Sequence, residues 1–200
     1  MSPQKVVAER KIYDFIKRCN DLILALILFI IFLPLFITIS ILVKISSGGP
    51  IIYKQKRIGK NNKPFILYKF RTMKSVVAGF LWTDANDQRI TSLGNILRRT
   101  HLDELPQLVN ILKNDMSFIG PRPERSELVK IYSLLPNYGI RHTIKPGLSG
   151  LAQLNYKPST SLKEAGEKLK YDIYYIENRS FAFDTLILLK TIIYWITRRL

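Results

Sequence analysis

An apolar run from Leu22 to Val43, interrupted by Pro34 and bordered by basic residues, restricts this chain more than any other feature. At roughly 22 residues it is long enough, as one unbroken helix, to cross a ~30 Å hydrocarbon layer. Pro34 removes a backbone donor and clashes with the preceding turn, so a kink or break is expected there, and each half alone is too short to span. Lys5, Arg10, Lys11, Lys17 and Arg18 precede the run; Lys44, Lys54, Lys56, Arg57 and Lys60 follow it, with no acid among these. Positive flanks are retained on the cytoplasmic side, so a spanning helix would leave one of them outside. A helix that enters, breaks and returns keeps both inside. The expectation is a re-entrant membrane anchor defined by Lys17, Arg18 and Pro34.

The remainder has to form a body. Two hundred residues at 47% apolar content suit one domain, read as an anchor over residues 1–45 and a cytoplasm-facing region over 46–200. A net charge of +16 requires an acidic partner, and beside a membrane run it favours anionic lipid or a phosphorylated substrate over nucleic acid. The run lacks the following small-residue site of a cleavable signal peptide. Cys19 is the sole cysteine, which excludes an internal disulfide and suits a reducing compartment. With His101 and His142 the only histidines, no zinc site of the usual kind can be assembled, so a metal here would be a hard cation on oxygen ligands.

The periodicity predicts an α+β fold that is mostly helical. A short amphipathic helix up to about Arg18 leads into the broken anchor, which ends at Ser46-Ser47-Gly48-Gly49-Pro50. Ile51 to Ile58 and Phe65 to Phe70 read as a small β-hairpin around Gly59 to Lys63. Ser75 to Asp87 reads as loop. Helices are expected over Ile90 to Leu102, with Arg98 and Arg99 in the last turn, and again from Leu105 to Leu112. Pro106 belongs in the first turn of the second, which puts Asp103 and Glu104 at its N-terminus. Glu124 to Leu134 and Ser161 to Ile176 follow as helices. Lys145 to Gly150 reads as loop, and Phe181 to Leu200 as an interfacial amphipathic helix.

Asp103 and Glu104 are the candidate catalytic carboxylates. Acids near a helix start commonly do no more than cap amides, but this pair follows Arg98 and Arg99 by about one turn and precedes the arginine of Gly120-Pro121-Arg122-Pro123. Carboxylates among guanidiniums suit phosphoryl transfer, where Arg and Mg²⁺ offset the charge on the moving phosphate. An ionised Asp at a helix start would serve as a nucleophile. On these residues alone, a membrane phosphohydrolase or a basic, non-enzymatic lipid or nucleic-acid binder stays open.

The ordered set of motifs goes further. Lys17-Arg18, Pro34, Tyr68-Lys69-Phe70-Arg71-Thr72-Met73, Arg89-Ile90-Thr91, Leu102-Asp103-Glu104-Leu105-Pro106-Gln107-Leu108, Asp115 to Pro123, Lys145 to Gln153 and Tyr171-Asp172-Ile173-Tyr174-Tyr175 occur in that order. Together they closely resemble the bacterial sugar transferases, the monotopic polyprenyl-phosphate phosphoglycosyl transferases in their minimal form. The resemblance implies transfer of a sugar-1-phosphate from a UDP-sugar to undecaprenyl phosphate at the bacterial inner membrane, with release of UMP. It implies that Asp103 forms a covalent phosphosugar intermediate, and that Glu104 holds Mg²⁺ with Asp103 or deprotonates the lipid phosphate. Arg98 and Arg122 match the family's phosphate-binding arginines, and Lys69, Arg71, Lys145 and Gln153 are further candidates for substrate binding. Membrane lipids are implied partners, nucleic acid is not, and homo-oligomerisation is left open. Two departures stand out: Leu33 precedes Pro34 where serine is frequent, and Leu154-Asn155-Tyr156-Lys157 replaces a frequent Val-Asn-Gly-Arg.

Overall fold

The computed structural model describes residues 10–74, 87, 89–156 and 161–197. Most of the loop expected from Ser75 to Asp87, and the residues ahead of Arg10, lie outside them. Helix α1 (Lys11–Ile31) runs without interruption through the expected short leading helix into the apolar run, and α2 (Leu33–Ser47) leaves it at 62°. The break falls at Phe32, with Pro34 seated in the first turn of α2 rather than at the bend itself. The physical reason is that Pro34 has no N–H for a carbonyl one turn back, so the ladder lapses ahead of it, while a first turn tolerates proline. Backbone bonds close on either side, Phe32 N–H to Leu28 O at 2.9 Å and Phe36 N–H to Phe32 O at 2.8 Å. Among the described residues no single helix is long and apolar enough to cross a membrane; the bent pair together passes that test. Gly48, at φ 65°, ends α2 in the left-handed conformation that glycine adopts without strain.

The expected hairpin forms almost residue for residue. Strands β1 (Ile52–Ile58) and β2 (Pro64–Phe70) pair antiparallel from Ile52↔Phe70 to Ile58↔Pro64. Asn61 and Asn62 take positive φ in the turn, a conformation asparagine tolerates better than most residues. Helix α3 (Ser92–Arg99) is shorter than expected because Thr91 caps it, its hydroxyl accepting the Gly94 N–H at 2.9 Å. A 3₁₀ turn over Leu102–Glu104 precedes α4 (Gln107–Leu112), for which Pro106 is the N-cap. Asp103 and Glu104 therefore lie in that turn, one step ahead of the helix start expected for them.

Strand β3 (Ser117–Ile119) pairs in parallel with β4 (Gly147–Ser149), where the sequence reads as loop. Three residues are too few to show an alternation. The pairing rests on close backbone approach: a Cβ on Gly147 would sit 2.1 Å from the Gly120 nitrogen. Helix α5 (Ser126–Tyr132) starts two residues after the expected Glu124, which stays extended and gives its carbonyl to the Ile58 N–H at 3.0 Å. Then come a 3₁₀ turn (Tyr138–His142), α6 (Leu151–Asn155), α7 (Leu162–Asn178) capped by Ser161, and α8 (Phe181–Thr197).

The main core gathers Leu67, Leu108, Ile111, Met116, Ile119, Tyr175, Ile176 and Ile187, and α1 adds Ala25 to it. Asp21 on α1 is buried and accepts the Phe118 N–H at 3.2 Å, which fixes α1 to β3. Large apolar residues remain exposed along the other face of α1 and α2 (Ile12, Phe15, Ile30, Ile41, Ile45) and along α8 (Leu189, Ile193).

Candidate active site

Two segments converge on Glu104. Lys69 reaches it from β2, with Nζ 2.5 Å from Oε1, and Arg122 donates Nη2 to the same oxygen at 2.9 Å. Burial alone would raise Glu104, but Lys69 and then Arg122 outweigh it and hold the carboxyl far below the usual carboxylate range. Asp103, its neighbour, is equally hidden at 7% exposure, and no hydrogen bond or ion pair engages its carboxylate among the described residues. Burial dominates here and pushes Asp103 above the ordinary range, resisted by Lys69 and, less, by Arg98 and His101. The expected helix-start stabilisation of Asp103 is not realised, since the 3₁₀ turn and the six-residue α4 leave burial in control. One oxygen of Glu104 thus carries two cations, while the Asp103 carboxylate is left without a partner.

Local geometry explains how a chain of polar residues is brought here. Gly94 packs directly on the Thr72 carbonyl, where a Cβ would come within 2.2 Å of the oxygen. That contact docks α3 on the end of the hairpin, and Arg98 in its last turn donates Nε to Thr72 Oγ1 at 2.9 Å. His101 turns the chain at φ 55°, and its ring stacks on Trp195 of α8 at 5.4 Å between centroids. Leu102 and Leu105 pack beside the buried group of Ile39, Val43, Phe70 and Leu97, which seats the acidic turn between them on the body.

The segment carrying Arg122 is extended and held from both sides. Arg57 Nη1 donates to the Pro123 carbonyl at 2.8 Å, and Arg141 Nη2 donates to the Arg122 carbonyl at 2.9 Å. Arg57 is so enclosed that burial, with the nearby Arg122, lowers it to about 10. Arg141, 4% exposed, also contacts Asp172 at 3.0 Å and the Tyr138 hydroxyl at 2.9 Å, and Lys168 meets Glu124 at 3.0 Å. Sequence reading missed Arg57, Arg141, Thr72 and His101 as site supports. Arg57 was visible only as one more basic residue after the anchor, and Arg141 carried no local signal.

Lys69, Arg98, Asp103, Glu104 and Arg122 are brought together; the other candidates are not. Arg71 spends its guanidinium on the Met73 and Lys74 carbonyls, at 2.8 and 2.5 Å, bracing the chain after β2. Gln153 donates to the Leu148 carbonyl at 3.1 Å within its own turn. Lys145 bonds Asn114 and lines a separate cavity against α1. Lys17 pairs with Asp184 at 2.6 Å, and Arg18 donates to the Ile111 and Leu112 carbonyls at 2.6 and 3.1 Å. These two therefore fasten α1 to the body, with Arg18 at the carbonyl end of α4.

The profile of the family described as "Bacterial sugar transferase" matches residues 12–198. The chain is 41% identical over 184 residues to the UDP-N-acetylgalactosamine-undecaprenyl-phosphate N-acetylgalactosaminephosphotransferase of Aeromonas hydrophila, covering 90% of this chain and 44% of that one. It is 41% identical over 182 residues to the UDP-glucose:undecaprenyl-phosphate glucose-1-phosphate transferase of Escherichia coli (strain K12), covering 88% and 39%. Against the exopolysaccharide production protein PSS of Rhizobium leguminosarum bv. phaseoli it is 38% identical over 192 residues, covering 92% and 96%. The chain thus spans about two fifths of the first two relatives and nearly all of the third.

Proposed function

This chain belongs to the bacterial sugar transferase family, and on that premise we propose that it moves a sugar-1-phosphate from a UDP-sugar to undecaprenyl phosphate, releasing UMP and initiating a surface polysaccharide. The observation that carries the reading is the unengaged, buried carboxylate of Asp103 beside Glu104, one oxygen of which is held by Lys69 and Arg122. In the first displacement Asp103 attacks the β-phosphorus. The bond from that phosphorus to the bridging oxygen breaks, and UMP leaves with the electron pair. In the second, an oxygen of undecaprenyl phosphate attacks the same phosphorus and the Asp103 carboxylate departs. Arg98 and Arg122 lie where guanidiniums offset phosphate charge.

Glu104 is a poor base in this reading. A carboxyl held far below its usual range by Lys69 and Arg122 has little affinity for a proton, which favours an electrostatic and metal-holding role. Two adjacent carboxylates fit Mg²⁺, a hard cation that takes one or two carboxylates and completes its shell with substrate phosphates and water. Asp103 and Glu104 would hold it, and when bound it supplies further charge neutralisation for the diphosphate. The exposed apolar face of α1, α2 and α8 and the 62° bend support a re-entrant seat in the cytoplasmic membrane with the site on the cytoplasmic side. The two relatives of equal identity are named for different sugars, so overall identity does not select the sugar.

The test is UMP release from a panel of UDP-sugars with and without undecaprenyl phosphate. A single-turnover burst without acceptor, with a sugar-phosphate mass on the peptide containing Asp103, is expected. Steady turnover without acceptor would mean hydrolysis, and an adduct on Glu104 would reverse the two roles.

A further inference from the structure

A cavity of about 90 Å³ opens between the first turns of α1, the hairpin turn and the β3–β4 pair. It shares no lining residue with the Asp103 cluster. Five cationic side chains line it, Lys17, Arg18, Lys60, Lys145 and Arg179, against two acidic ones, Asp14 and Asp21.

Much of that charge is already committed. Lys17 is paired with Asp184, Arg18 is bonded to two carbonyls of α4, and Asp21 accepts the Phe118 N–H. Arg179 gives Nη1 to the Ile176 carbonyl at 3.1 Å and has Nη2 3.6 Å from Asp14. Four donors are left over. Lys60 Nζ has no acidic partner within 4 Å among the described residues, and Lys145 Nζ meets only the neutral side chain of Asn114. The Ser117 hydroxyl and the Arg179 Nε–H, on residues each 2% exposed, have no hydrogen-bond partner at all in the described structure. A buried donor without an acceptor costs about 1–3 kcal/mol, so such atoms are ordinarily satisfied by something. Water can accept these protons but cannot neutralise two ammonium groups. Burial lowers Lys145, and the positive charge of Arg18 and Lys60 adds to that against Asp21, as expected of a pocket short of negative charge.

We propose that this cavity is a second anion site, binding a phosphate group through Lys60, Lys145, the Ser117 hydroxyl and Arg179 Nε. A phosphate oxygen set is all acceptor and carries charge, which matches four donors of which two are uncompensated cations. Two sources present that group: a soluble phosphate, and the headgroup of an anionic lipid, because the same turns of α1 expose Ile12, Phe15 and Ile16 on their outer face.

The 200-residue chain is titrated calorimetrically in detergent with inorganic phosphate, and in parallel, after detergent removal, with phosphatidylglycerol vesicles against phosphatidylcholine vesicles. The Lys60→Gln/Lys145→Gln double variant should weaken binding by about tenfold or more. Ser117→Ala, which changes no charge, should weaken it severalfold, and Lys54→Gln, which removes an exposed charge outside both sites, should leave it intact. The phosphate-induced rise in thermal midpoint should shrink in step. That pattern with inorganic phosphate assigns a soluble ligand; the same pattern seen only with phosphatidylglycerol assigns a headgroup. Affinities unchanged in the double and Ser117→Ala variants, an equal loss in Lys54→Gln, or no saturable binding of either probe by the wild type would each overturn the proposal and leave a water-filled cavity.

Discussion

Two ionic clusters lie on either side of the Arg122 segment and make opposite use of a buried aspartate. Asp103 is 7% exposed and Asp172 is 4% exposed. In both, burial overrides neighbouring cations and raises the carboxyl above the ordinary range. Asp172 is nonetheless paired with Arg141 at 3.0 Å, and Arg141 reaches on to the Tyr138 hydroxyl and the Arg122 carbonyl. Asp103 has no such partner, because the nearest cation that could serve, Lys69, is spent on Glu104. Burial and charge are alike in the two aspartates; the difference is whether the protein itself satisfies the carboxylate, and on the function proposed above that is what separates the structural acid from the reactive one. The closed cluster holds the backbone of Arg122 while the open one receives its side chain.

The largest test of this contrast exchanges the two aspartates for asparagine. Asp103→Asn should lower turnover by about 1,000-fold or more, since the nucleophile is gone, with the thermal midpoint held or raised because an unpaired buried charge is removed. Asp172→Asn should do the reverse, costing on the order of 3 kcal/mol of stability by removing the closer of the two acids that face the buried Arg141, with Glu124 left at 3.8 Å, while turnover per folded molecule survives. Chemical denaturation and single-turnover kinetics on both variants measure this. Equal loss of activity would erase the distinction.

Arg122→Ala should come next, cutting kcat/KM by about 100-fold with little change in stability, because Arg141 and Arg57 grip its backbone and that of Pro123 rather than its side chain. A loss confined to UDP affinity would make Arg122 a ground-state binder. Third, Lys69→Gln removes the cation that most opposes the rise of Asp103. The carboxyl should climb further, so the acid limb of the kcat/KM–pH profile should move to higher pH. An acid limb that stays put would separate Lys69 from the nucleophile.

The smallest expected effect concerns the closed cluster. Burial, with Arg141, lowers His142 from its ordinary 6.5 to about 4. Glu124 falls from its ordinary 4.5 to about 2, because Lys168 and Arg141 outweigh burial. In each case the unfolded chain takes up a proton that the folded chain refuses, so stability present above the unfolded value is lost as pH falls. The loss should run from about pH 6.5 to 4 for His142 and from about 4.5 to 2 for Glu124. His142→Gln should flatten the first window in denaturation curves taken across pH, and an unchanged slope there would release His142 from this account. Asp172, raised instead of lowered, works with the opposite sign and blunts the total.

The hairpin, the helices around it and the bend near Pro34 were legible because each depends on local features: alternation, 3.6-residue spacing, a proline that cannot donate. The short parallel pair β3–β4 was not, since its cause is the approach of Gly120 and Gly147, residues brought together only by folding. The same division runs through the site. Asp103, Glu104, Arg98, Arg122 and Lys69 were named from motif and residue type, and the fold does assemble them. Arg71, Lys145 and Gln153 stand in equally suggestive motifs, yet the fold turns Arg71 to the Met73 and Lys74 carbonyls, Lys145 toward Asn114 and a separate cavity, and the Gln153 amide nitrogen to the Leu148 carbonyl.

What the sequence determined by itself is therefore the local conformations, the family and the cast of charged residues, all of which follow from short-range sterics and from residue chemistry. Only the tertiary structure decided which charges neutralise one another. Lys69 could have met either acid of the Asp103-Glu104 pair, and Arg122 could have been solvated. Their convergence on one oxygen of Glu104 follows from docking α3 on Thr72 and from clamping the Arg122 backbone with Arg57 and Arg141. Coulombic pairing depends on separations of a few ångströms between residues far apart in the chain, and chain order alone does not encode those separations.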